Sequence, residues 1–216
     1  LAGILTFRNN FEAAAYEVAQ RYPDAKIVVI FPYGMASGTS RLVQHRLLTR
    51  QLAQVGYDLI HCSSRRVRLV SEIIREHGAS ADQLLLIGHS AGGVVAYRSG
   101  LVLGERYGMH QVQVFAVGSP KFHLKDIPFN KQFTYISGRD PDRVTRIGRW
   151  RRPGSRVYCG KPERDIRLDF NPGHSGWKYH ASYFLKSAWK DQNHVLHSNA
   201  EDLISKIHEL CPEIQE

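Results

Sequence analysis

The run Leu84-Leu85-Leu86-Ile87-Gly88-His89-Ser90-Ala91-Gly92-Gly93 sets a hydroxyl between glycines, at the end of an apolar strand and the start of a helix-like segment from Val94. A tight strand-to-helix turn of this Gly-x-Ser-x-Gly form lifts the serine clear of the sheet edge, where it can act as a nucleophile. Gly88 and Gly92 lack Cβ atoms, so the turn can take strained dihedrals and the new helix can approach the strand closely. The amides at the helix N-terminus, that of Ala91 first, point at an oxyanion forming beside Ser90. The chemistry expected is acyl transfer through a covalent serine intermediate, against the plainer alternative of a glycine turn with an incidental Ser.

Such a serine needs a base to take its proton and an acid to hold that base in the right tautomer. The chain has eleven histidines, and His89, inside the turn, reads as a packing neighbour rather than the base. Position selects two others: His174, in Pro-Gly-His-Ser-Gly, and His180, just ahead of Ala181-Ser182-Tyr183-Phe184. For the acid, Asp140 stands in the turn directly after the predicted strand Phe133 to Ser137; Asp142, two residues on, is the alternative. The chain order Ser, acid, His is that of the α/β-hydrolases.

The elements that must position these groups alternate along the chain. Phe11, Ala14, Ala15, Val18, Ala19 and Tyr22 recur at helical spacing, and Ile27 to Phe31 reads as a buried strand. A glycine-rich loop from Pro32 to Gly38 leads to a helix from about Arg41 to Gln54, which Gly56 is expected to end. Tyr57 to Cys62 then reads as a strand, Val67 to His77 as a helix and Leu84 to Ile87 as the strand before Ser90. A helix to about Tyr107 follows, then strands at Val112 to Val117, Phe133 to Ser137 and Ile166 to Phe170. The final amphipathic helix carries Leu203, Ile204, Ile207 and Leu210. The expected fold is therefore α/β, one domain over residues 1–216, with a mostly parallel sheet covered by helices on both faces. In such sheets ligands bind at the carboxyl ends of the strands, where Ser90, Asp140 and the His-containing segment fall.

Gly88-His89-Ser90-Ala91-Gly92-Gly93, Phe115-Ala116-Val117-Gly118-Ser119-Pro120-Lys121, Ser137-Gly138-Arg139-Asp140-Pro141 and His180-Ala181-Ser182-Tyr183-Phe184 resemble, in this order, the serine turn, following strand, acid turn and His segment of the class 3 (fungal-type) lipases. The resemblance covers roughly the second half of the chain. It implies the α/β-hydrolase fold, with Ser90 as nucleophile, Asp140 as acid and His180 rather than His174 as base. The first half departs from the family: where those lipases carry Arg-Gly-Ser/Thr at the oxyanion loop, this chain has Tyr33-Gly34-Met35, so that the Met35 amide is the second oxyanion donor by position. Phe7-Arg8-Asn9 is a rival for that piece. No long apolar lid is visible, which sets a carboxylesterase of soluble or short acyl esters beside a lipase, with phospholipid and thioester also open.

Composition bounds what else the chain can do. The charged and hydrophobic fractions, 23% and 43%, are those of an ordinary globular protein, and no apolar run approaches a membrane span. Cys62, Cys159 and Cys211 form no metal-ligand spacing and fit thiols in a reducing compartment, hence a cytoplasmic location, although a start at Leu1 leaves a removed leader open. No metal or organic cofactor is implied. Most of the net charge of +9 is local: Arg143 to Arg164 holds eight cations against one acid. With only Trp150 and Tyr158 interleaved and no nucleic-acid motif, this run argues for an anionic or lipid ester, or an anionic surface, rather than nucleic acid. The rival to an enzyme is a hydrolase-fold binding module that docks a membrane or partner through this basic segment.

Overall fold

Apolar runs at Leu84–His89 (β1), Val112–Val117 (β2) and Phe133–Gly138 (β3), with the shorter Asp165–Leu168 (β4), pair in chain order as a four-stranded parallel sheet. The computed structural model describes residues 1–4, 6–35, 41–61, 64–124, 133–139, 142–147, 165–170, 176–186, 188–191 and 193–211. Helices α1 (Glu12–Arg21), α2 (Arg41–Ile60), α3 (Arg65–Gly78), α4 (Ala91–Tyr107), α5 (Gly176–Ala181) and α6 (Asn199–Glu209) complete it, with a small antiparallel pair, β5 (Ala188–Lys190) and β6 (Leu196–Ser198).

Successive strand side chains point to opposite faces, and the two apolar clusters divide accordingly. Val114, Ala116 and Tyr135 pack with Val70 and Ile74 of α3 and with Val94 and Leu101 of α4. Phe115, Val117 and Ile136 pack instead with Ala14 of α1 and with Leu203, Ile204 and Ile207 of α6. The sheet is thus covered on both faces, as its near-continuous apolar strands require. The arrangement is an α/β fold, as expected, and among the described residues no helix is long and apolar enough to cross a membrane.

Two expectations for the first half are corrected. Helix α2 runs through Gly56 to Ile60, so Tyr57 to Cys62 is not a strand: residues 57–60 are helical, and Cys62 lies outside the described residues. Tertiary bonds hold this last turn. Asp58, fully buried, pairs with Arg66 at 2.6 Å and accepts from the Tyr33 hydroxyl at 3.0 Å. Buried Arg98 of α4 donates to the carbonyls of Leu59 and His61, which satisfies helix-end acceptors that would otherwise be orphaned. These contacts outweigh the helix penalty of one glycine, about 1 kcal/mol.

The segment 27–31 is likewise no strand. Its described link to the sheet is a single bond, the Ala2 amide donating to the Ile30 carbonyl at 2.9 Å, and Ile27, Val28 and Val29 are each about 40% exposed. Between this segment and β1 runs Leu1, whose nitrogen donates to Ile87 O at 2.6 Å and whose carbonyl accepts from His89 N at 2.9 Å, the bond pattern of a parallel pair.

Candidate active site

Ser90 is the residue between β1 and α4, and its backbone, φ 55° and ψ −132°, lies where non-glycine residues rarely go. The surroundings over-determine it. Ser90 N donates to Val117 O of β2 at 2.9 Å, and its carbonyl accepts from Gly93 N at 3.0 Å, the start of the helix. A Cβ on Gly88 would lie 2.5 Å from Gly92 O and 2.6 Å from Gly93 Cα, and one on Gly92 would collide with Leu1 O. Both glycines are therefore needed for close approach, and the local sequence dictates the turn. Ala91, the first residue of α4, is buried with its amide at the helix N-terminus beside Ser90.

His180 lies in the last turn of α5, and its Nδ1 is 2.7 Å from Oδ2 of Asp142, with both side chains buried. The carboxylate is held by two further donors: the Tyr183 hydroxyl to Oδ2 at 3.0 Å and Val144 N to Oδ1 at 2.8 Å. Tyr183 is itself oriented, since its hydroxyl accepts from Gly138 N at 3.1 Å. Burial first, and then the Asp142 charge, pushes the Tyr183 hydroxyl far above its ordinary value, so it remains a donor. With Nδ1–H given to a carboxylate, the His180 ring keeps Nε2 as its acceptor, the tautomer a general base needs.

His89, the residue before Ser90, packs on this pair. Its ring stacks on that of His180 with centroids 4.8 Å apart, and its Nε2 is 3.0 Å from the His180 carbonyl, so Nε2 carries the proton. Burial, then the neighbouring His180, holds its pKa well below the usual histidine value, and the ring is neutral at pH 7. It packs against His180, as the sequence suggested.

Of the residues singled out in the sequence, His180 and Asp142 are bonded to each other, and the ring of His89, which directly precedes Ser90 and Ala91, stacks on His180. Asp140 and His174 lie outside the described residues, and the carboxylate on His180 is that of Asp142, the alternative rather than the first choice. Met35 is 52% exposed, in the loop that leaves segment 27–31, one chain further from β1 than Leu1 and Ala2. The backbone beside Ser90 is that of Gly3, where a Cβ would fall 2.6 Å from Ser90 Cβ and 3.1 Å from Ser90 Oγ. Sequence reasoning missed Gly3; its one signal is a glycine directly after a short apolar start. Among the described residues no three metal-ligating side chains converge.

Compared with protein-family models, with curated proteins and with solved structures, the chain has no match in any of the three. The fold and the site define an α/β protein with a four-stranded parallel sheet and a buried Asp142–His180 pair that packs on His89, the residue before Ser90.

Proposed function

We propose that the protein is a serine hydrolase of carboxylic esters, of the α/β-hydrolase type, working through an acyl-enzyme on Ser90. The observation that carries this reading is the buried Asp142–His180 pair, whose imidazole stacks on His89, the residue before a serine in a strained strand-to-helix turn. A buried carboxylate bound to histidine on one side and to two other donors has no evident packing purpose, and its chemistry is to hold and stabilise an imidazolium.

In the first step His180 Nε2 takes the Ser90 proton as Oγ attacks the ester carbonyl carbon. The Ala91 amide and an amide of the Gly3–Ile4 backbone receive the oxyanion. Collapse expels the alcohol, protonated by His180, and leaves the acyl group on Oγ. Water deprotonated by the same ring then attacks the acyl-enzyme, and collapse of the second intermediate releases the acid and returns the proton to Ser90. Asp142 stays ionised throughout and orients the ring. Arg143, exposed directly after the acid, begins the cationic run to Arg164, which favours an ester bearing an anionic group. Arg149, Arg151, Arg152, Arg156, Lys161 and Arg164 lie outside the described residues.

The test is hydrolysis of a panel of p-nitrophenyl esters, phospholipids and matched anionic and neutral esters at low and high salt. Ser90→Ala and His180→Ala serve as blanks. Turnover that both variants abolish supports the reading; turnover that survives Ser90→Ala rejects it.

A further inference from the structure

A cavity of about 970 Å³ lies between segment 27–30 and the outer edge of β1, and neither Ser90, His180 nor Asp142 lines it. Its shape follows from its walls. Lys26 to Ile30 forms one side and Leu84 to Ile87 the other, while Ala14 and Ile204 close it from the α1/α6 layer and Ile74 from α3. It therefore lies in the plane of the sheet, between the two helical layers, bounded by two chains rather than by helix surfaces alone.

Both bounding chains offer backbone to it. In β1 the even residues face β2, since Leu84 N donates to Gln111 O and Ser90 N to Val117 O; the odd residues face outward. Leu1 already takes Ile87 O and His89 N on that outer edge. A parallel ladder continued back from Leu1 meets Leu85 O and Ile87 N next. On the opposite side Ala2 has taken Ile30 O, and the same continuation meets Val28 O and Ile30 N. One extended chain would thus satisfy both edges in the register that Leu1 and Ala2 set. It would also cover Ile27, Val28 and Val29, each about 40% exposed.

We propose that this slot is a strand receptor: it takes an extended apolar polypeptide segment that runs parallel to β1 and leads into Leu1, completing a sheet that extends from β4 to segment 27–31. Because helices cover both faces, the segment must be apolar at successive positions rather than alternating. A strand seated there also fixes Leu1 to Gly3, the backbone that lies against Ser90.

The test joins five-residue segments to Leu1 and reads backbone hydrogen exchange and Tm, neither of which depends on catalysis. Lys-Val-Ile-Val-Val is compared with Lys-Gly-Ser-Gly-Ser, and the less hydrophobic Lys-Ala-Val-Ala-Val serves if the first associates. Decanoate added to the unextended chain is the apolar small-molecule control. The strand-forming segments are expected to slow exchange of the Ile87 and Ile30 amides by about tenfold or more over the Gly-Ser segment, and to raise Tm by several degrees. Equal exchange with all segments overturns the proposal. So does a Tm rise with decanoate that no strand-forming segment matches, which would make the cavity an apolar ligand site.

Discussion

Replacing Asp142 with Asn removes one charge and one acceptor from a carboxylate that receives three buried hydrogen bonds. His180 Nδ1 at 2.7 Å and the Tyr183 hydroxyl at 3.0 Å both reach Oδ2, and Val144 N reaches Oδ1 at 2.8 Å. An amide has one acceptor oxygen. If that oxygen stands at Oδ2, the new NH2 faces Val144 N–H. If it stands at Oδ1, the NH2 faces His180 and drives the ring to the tautomer whose Nε2 bears the proton and cannot act as base. Either way a buried donor loses its partner, a cost of about 1–3 kcal/mol in stability. The wrong tautomer, with an unsupported imidazolium, should lower kcat by about 10³–10⁴, or about 4–5.5 kcal/mol at the transition state. Asp140→Asn leaves all three bonds in place and should stay within about threefold of wild type. The assay is initial-rate hydrolysis of p-nitrophenyl butyrate between pH 6 and 9, with urea unfolding of each variant. An Asp140→Asn variant slower than Asp142→Asn would refute the assignment of the acid.

Three further outcomes are expected. Tyr183→Phe removes one donor from the Asp142 carboxylate and leaves Gly138 N without its acceptor, so stability should fall by about 1–3 kcal/mol, and an unchanged urea unfolding midpoint would contradict this. Because folding lowers the His89 pKa, the unfolded chain binds the extra proton as pH falls below about 6.5, and His89 costs the fold about 1.4 kcal/mol per pH unit from there down to its folded pKa. His89→Gln, which keeps a donor for the His180 carbonyl, should therefore lose less stability than wild type as pH falls below about 6.5 in urea unfolding, and an equal loss would contradict this. A Cβ at Gly56 would meet nothing within 4 Å inside helix α2, so Gly56→Ala should raise stability by about 0.5–1 kcal/mol; a loss would mean that the helix does not continue past that residue.

The parts of this molecule that the sequence made legible are those set by neighbours in the chain. The Ser90 turn is written in Gly88 and Gly92, and α1, α3, α4 and α6 in their apolar spacing, because each is fixed within one or two turns of backbone. Tyr57 to Cys62 misled because what holds residues 57–60 helical comes from elsewhere: Arg66 on Asp58, Tyr33 from a distant loop and Arg98 from α4. The choice between Asp140 and Asp142 was beyond local reading for the same reason. The two stand two residues apart in the sequence, and what holds the Asp142 carboxylate on His180 is Val144 N and Tyr183, 41 positions along the chain. Gly3 gave almost no signal because it contributes backbone alone.

The central claim, that Ser90 is an activated nucleophile, is tested most directly by reaction with a fluorophosphonate at neutral pH and localisation of the adduct by peptide mass spectrometry. The account predicts one label per chain, on Ser90, absent from Ser90→Ala, strongly slowed in His180→Ala and Asp142→Asn, and unchanged in Asp140→Asn. A wild-type protein that takes no label, or takes it at another residue, contradicts the account.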